Sequence, residues 1–176
     1  MYKAESIDME KITKYYNAPE GSIILNGYEK IDYCDSFRVY LAANENVDKI
    51  ATKIFKVPAW VGILMRIRNV ISGFFGLKTG NSIKRNESGY YTIGSRTGFF
   101  TVVDRNDTEI VMSENDKHLG FRTSVMINVG ESSCFVNLTT VVRYNNFGGR
   151  FYFFFVKPFH RVIMRALLKR LRANPV

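Results

Sequence analysis

Asp116, His118 and Arg122 are the nearest the sequence comes to a polar site. Alternate residues of a strand share a face, so His118 and Arg122 project the same way with roughly 13 Å between their Cα atoms. With a partner from a neighbouring strand, such a group suits acid–base work or anion binding. The plainer reading, which we prefer, is a solvent-facing charge ladder that stabilises a sheet. His160 and Arg161 form a second pair, in the run Pro158-Phe159-His160-Arg161. An imidazole beside a guanidinium can hold a carboxylate; the simpler expectation is a helical histidine bonded to a nearby loop. These two histidines fall on separate elements and Cys34 and Cys134 are isolated, which argues against a zinc site. Both cysteines are expected as buried free thiols. Ser132 and Ser133 have no base beside them, and no Gly-x-Ser-x-Gly or P-loop occurs. No catalytic residue, metal or cofactor is called for.

The element that must position His160 is the stretch from Val136 to Leu171. Val136, Leu138, Thr140 and Val142 alternate with Asn137, Thr139, Val141 and Arg143, which predicts a strand. After a Gly-rich turn, the run from Phe147 reads as one long helix with Asn145-Asn146 able to cap it. Basic residues at 157, 161, 165, 169 and 172 fall on one helical face. Residues 151–156 are apolar all round and are expected to be buried on most sides. Pro158 predicts a kink near 154–158 or a helix that restarts there, because proline lacks the N–H the helix needs.

Earlier elements are read the same way. Asp8 to Tyr16 suggests a short helix, followed by an apolar segment at Ser22 to Leu25. Ile31 to Leu41 alternates, with Ile31, Tyr33, Phe37, Val39 and Leu41 on one side and Asp35 interrupting that face. Asn46 can cap a helix with Val47, Ile50, Ala51 and Ile54 as its stripe, and an apolar-rich helix follows over 58–75. A polar loop runs from Leu77 to Tyr90. Strands are expected at Thr92 to Val103, Glu109 to Met112 and His118 to Val129, with turns at 104–107 and 113–116.

The chain has 176 residues, enough for one core, with 46% hydrophobic residues and a mean hydropathy of −0.11. No apolar leader opens it and no run is long enough to span a bilayer, so a cytoplasmic location is expected. The net charge of +9 is unevenly placed. From Ser132 onward there are eight basic residues and no Asp or Glu, while the rest is nearly neutral. A basic helix that opens with a phenylalanine-rich half does not suit nucleic-acid recognition. An anionic membrane surface is the competing partner; we expect acids such as Glu109 or Glu114 to neutralise the stripe instead.

The order of strand, two helices, antiparallel strands and long C-terminal helix is the helix-grip order of the START-like superfamily. Three segments are more specific: PAWVGILMRIRNVISGFFGLKTG, ENDKHLGFR and TTVVRYNNFGGRFYFFFVKPFHRVIMRALL. They closely resemble the bacterial domain-of-unknown-function family DUF2867, over roughly Tyr33 to Leu171. Where relatives often carry an acid after His-Leu, this chain has Gly120, so no role is assigned there. Some relatives carry a Rossmann-type NAD(P)-binding domain before this one; no Gly-x-Gly-x-x-Gly segment is present here. The resemblance implies an α+β helix-grip fold, an antiparallel sheet wrapped around a long C-terminal helix with two helices after the first strand. Residues 1–30 would be an arm or short helix packed on the body, 31–172 a single domain and 173–176 a tail. It brings no established activity.

The expected function is therefore non-catalytic binding of a small apolar or amphipathic molecule between sheet and long helix. Trp60, Leu64, Ile67, Phe99, Phe121, Leu138, Phe155 and Phe159 are the candidate lining. A regulatory, interaction or membrane-surface module using the basic helix face is the first alternative. An enzyme, such as a cyclase or hydrolase resting on His118 or His160, is the second.

Overall fold

A computed structural model of the chain describes residues 12–41, 45–55, 89–97, 100–115, 117–129 and 134–173. The expected helix over 58–75, most of the loop after it, and the candidates Trp60, Leu64, Ile67, Phe99 and Asp116 lie outside the described residues.

Seven strands form one antiparallel sheet in the order β1-β2-β7-β6-β5-β4-β3. They are β1 (Thr13–Tyr15), β2 (Tyr33–Leu41), β3 (Arg96–Thr97), β4 (Phe100–Arg105), β5 (Glu109–Asn115), β6 (Leu119–Val129) and β7 (Cys134–Tyr144). Two helices are described, α1 (Val47–Phe55) and α2 (Phe147–Ala173). The architecture is α+β, of helix-grip type.

The register explains the core. Phe37, Leu138, Val125 and Ile110 are successive partners across β2, β7, β6 and β5, and all four are buried. Because side chains alternate, this row fixes which face of every strand points inward. Against it pack Val47, Ile50, Ala51 and Ile54 of α1 and Met164, Leu167, Leu168 and Leu171 of α2. Asn46 caps α1 as predicted, its Oδ1 accepting from the Asp48 N–H at 2.7 Å. Asp48 is itself buried, paired with Arg105 at 3.1 Å and bonded to the Tyr91 N–H at 2.9 Å, which ties α1 to β4.

The outer sheet face is covered in part by residues 18–28. Ile24, on a short 3-10 turn (Ile23–Leu25), packs on Val111 and Val141. Buried Glu109 accepts from Ser22 Oγ at 2.6 Å and from the Ile23 N–H at 2.7 Å. Glu109 thus serves the arm on the outer face and does not meet the basic helix.

Several expectations change. Thr13–Tyr15 is an edge strand on β2 and not part of a helix, because backbone pairing with Ser36 to Arg38 outweighs a weak helical pattern. The stretch expected as one strand from Thr92 holds a turn at Gly94 (φ 84°) and two short strands. β5 runs on to Asn115, through the expected turn. α2 continues through Pro158 as one helix and does not restart there. Residues 151–156 are not buried all round: Tyr152 and Phe153 are buried, whereas Phe151, Phe154 and Phe155 are exposed. The sheet meets only one side of the helix, and apolar composition alone does not say which side.

Candidate functional site

β2 sets Tyr33 and Asp35 side by side on the inner face, two residues apart. Asp35 is 0% exposed. A carboxylate is left in such a place only if it has partners. Tyr33 donates its phenol to Oδ2 at 2.5 Å, and His160 Nε2 of α2 lies 3.1 Å from Oδ1. Lys14 Nζ, from β1, stands 4.0 Å from Oδ2. Burial alone would raise the Asp35 pKa; the contacts of His160, Tyr33 and Lys14 outweigh it and hold the carboxyl below its ordinary value. The Tyr33 phenol is pushed well up, first by burial and then by its bond to Asp35, against an opposing hydrogen bond from Arg161.

The helix reaches this group because it is anchored at its start. Asn146 Oδ1 accepts from the Gly149 N–H at 3.0 Å, and its Nδ2 donates to the Lys117 carbonyl at 2.9 Å. Gly149 is required: a Cβ there would lie 2.0 Å from the His118 carbonyl oxygen. Three turns on, His160 points inward, edge-on to Phe121 with ring centroids 6.0 Å apart.

A polar row crosses the inner face at this level. Asp35 is in register with Thr140, and Thr140 with Thr123. On one side lies the main core. On the other lies a separate apolar cluster of Tyr33, Leu119, Val142, Tyr152 and Phe153. The rim of the group is positive. Lys157 Nζ sits 4.6 Å from the centre of the Tyr33 ring, and Lys14 Nζ and the Arg165 guanidinium lie 5.6 and 5.9 Å from the Phe37 ring. Beside it, the first turns of α2 form a shallow hollow of about 240 Å³, lined by Tyr144, Phe147, Arg150, Phe151, Phe153, Phe154 and Lys157.

Of the residues singled out from sequence, the structure joins His160 and Arg161 to one group and brings in Tyr33, Asp35 and Lys14. His160 meets a strand carboxylate and not a loop. His118 and Arg122 are not brought together. His118 Nδ1 lies 3.2 Å from Asn146 Oδ1 at the start of α2. Arg122 is on the outer face, donating to the Ile24 and Asn26 carbonyls at 3.1 and 2.6 Å and stacked 4.3 Å from the Tyr28 ring. Gly120 leaves room for that ring, since a Cβ there would meet the Tyr28 hydroxyl at 2.6 Å. Among the apolar candidates, Leu138 is core, Phe121 stacks on Phe100, and Phe155 and Phe159 are each 43% exposed. Asp35 was visible in sequence as a break in an apolar face; its partners, 125 residues away in the case of His160, were not.

The group is a closed set of hydrogen bonds around a buried carboxylate, with cations at its rim. Among the described residues no set of His, Cys, Asp and Glu is placed to hold a metal ion. No helix among them is long and apolar enough to cross a membrane. No curated protein and no solved structure matches the chain. A family model described as "Protein of unknown function (DUF2867)" matches residues 28–167, most of the chain. The protein with this Tyr33–Asp35–His160 group thus belongs to the DUF2867 family.

Proposed function

We propose that this domain binds a small amphipathic molecule without transforming it, holding the apolar part in the hollow at the start of α2. The observation that carries this reading is the lining: five aromatic rings and two cations, Arg150 and Lys157, with no acid. Aromatic walls with a few fixed polar groups are what small-ligand sites generally offer. About 240 Å³ is below the usual range of roughly 300–1,000 Å³, which favours a small or partly exposed ligand. The long helix laid over an antiparallel sheet supports grouping the domain with START-like helix-grip proteins, which enclose ligands beside that helix. Calorimetric titration with decanol and decanoate tests it. Saturable binding is expected, weakened roughly tenfold or more by Phe151→Ser with Phe154→Ser. Absence of saturable binding for both ligands would overturn it.

A second reading, acid–base catalysis by His160, has the Asp35 contact in its favour. Burial of His160, 8% exposed, puts it second. Hydrolysis of a panel of activated esters that disappears in His160→Gln would reverse the order.

A further inference from the structure

We propose that Lys14, Lys157, Arg161 and Arg165 form an oxyanion site, taking the phosphate or carboxylate end of the ligand whose apolar part lies in the hollow. The inference rests on the binding reading above and adds the chemical class of the head group.

Four cations come from two elements to one place. Lys14 is delivered by β1, in register with Phe37, and the other three by successive turns of α2. Lys157 lies over the Tyr33 ring, and Lys14 and Arg165 over the Phe37 ring, at the distances given above; Arg161 is one turn from each of Lys157 and Arg165 on the same face of α2. Asp35 is the carboxylate in their midst, and its oxygens already accept from Tyr33 and His160. α2 itself has no acid to offer. Four positive charges facing one carboxylate leave an excess of like charge, which is unfavourable, the more so where water is scarce. The Lys14 side chain is only 13% exposed. Its pKa is lowered, first by burial and then by Arg161, with Lys157 and Arg165 adding to the effect; Asp35 only partly offsets them. A donor also stands ready: Arg161 Nε is buried and meets no hydrogen-bond partner among the described residues. An oxyanion bonded by Arg161 and flanked by the two lysines satisfies that donor and removes the repulsion. Lys157 belongs both to this cluster and to the hollow's lining, which fixes how head and tail of one molecule are joined.

The test uses the whole chain with four probes: inorganic phosphate, decyl phosphate as monomer, decanol, and phosphatidylcholine vesicles with and without phosphatidylglycerol. Decyl phosphate is expected to bind roughly tenfold or more tighter than decanol, with phosphate competing. In Lys14→Gln with Arg161→Gln that preference is expected to collapse. Phosphate is expected to raise the melting temperature of the wild type and not of the variant. Lys14→Gln also breaks the contact with Asp35, so Arg161→Gln alone, which keeps that contact, is the second variant and is expected to lose part of the preference while remaining folded. Arg161→Lys should keep part of the preference. Equal binding of decyl phosphate and decanol, or a preference that survives the double substitution, overturns the oxyanion site while leaving the amphiphile reading standing. Phosphate binding that needs Lys14 and Arg161, without binding of either decyl compound, upholds the site and overturns the amphiphile reading. Phosphatidylglycerol-dependent vesicle binding that needs the same two residues upholds the site and identifies a lipid head group as the source; failure of every phosphate-bearing probe overturns it.

Discussion

Asp35 is the residue on which the interior of the site depends. Asp35→Asn keeps its size and removes its charge, leaving Lys14 without its counter-charge and His160 without its carboxylate partner. Breaking a buried pair of this kind costs about 3 kcal/mol, read as a lower midpoint in urea unfolding at pH 7. The sign with pH follows from the depressed carboxyl pKa. The stabilisation is complete above the ordinary aspartate value and is lost as pH falls through the folded value. The gap between wild type and variant should therefore close progressively below about pH 4; a gap that stays constant to pH 2 would sink the assignment. On the opposite face, burial and then the nearby Asp35 push the Cys34 thiol up to about 11. Slow modification of Cys34 by a thiol reagent at pH 7 is expected in the native protein, because the thiolate is the reactive form. The apolar alternation of β2 was legible from sequence, and so was the oddity of an acid within it. The acid's purpose was not, since its partners belong to β1 and α2, and strand periodicity carries no information about what lies above the sheet.

At the scale of the element, α2 separates adjacent phenylalanines by function. Phe153 is 2% exposed against Tyr33 and Tyr144, and Phe154 is 71% exposed. Phe153→Ala is expected to cost about 3–5 kcal/mol in chemical unfolding, whereas Phe154→Ala should stay within about 0.5 kcal/mol. Similar losses for both would contradict the helix's orientation. Pro158→Ala restores a backbone donor inside a continuous helix and is expected to hold or raise the melting temperature. The helix's length, its Asn146 cap and its basic repeat were readable in advance. Its rotation about its own axis was not: with aromatic residues on every side of residues 151–156, the hydrophobic pattern has no preferred direction, and only the sheet below supplies one.

At the scale of the molecule, the sheet is covered on both faces, by helices on the inner and in part by the arm of residues 18–28 on the outer. Glu109→Ala removes the acceptor for Ser22 and the Ile23 N–H, leaving a buried donor unmet at a cost of about 1–3 kcal/mol. Faster hydrogen exchange at Ile23 and Ile24 is expected, with little change at Leu138; uniform acceleration would mean the arm is not a separate unit. The family-like segments and five strands, at β2, β4, β5, β6 and β7, were visible in sequence, whereas β1 and the separate β3 were not; nor was the placement of β2 beside β7, since nothing local in either strand specifies a neighbour about a hundred residues away. That pairing has a consequence for synthesis. β4, β5 and β6 each find a partner in the strand just before or after them, whereas β2 is separated from β7 by the production of about a hundred residues. At ordinary translation speeds this is roughly 5–20 s. For that time β2 in the nascent chain, with Asp35 still hydrated and Phe37 and Val39 exposed, has only the short β1, already made, to pair with, and its other edge waits for β7, so the ribosome must release most of the protein before the strand that carries its site is built into the sheet.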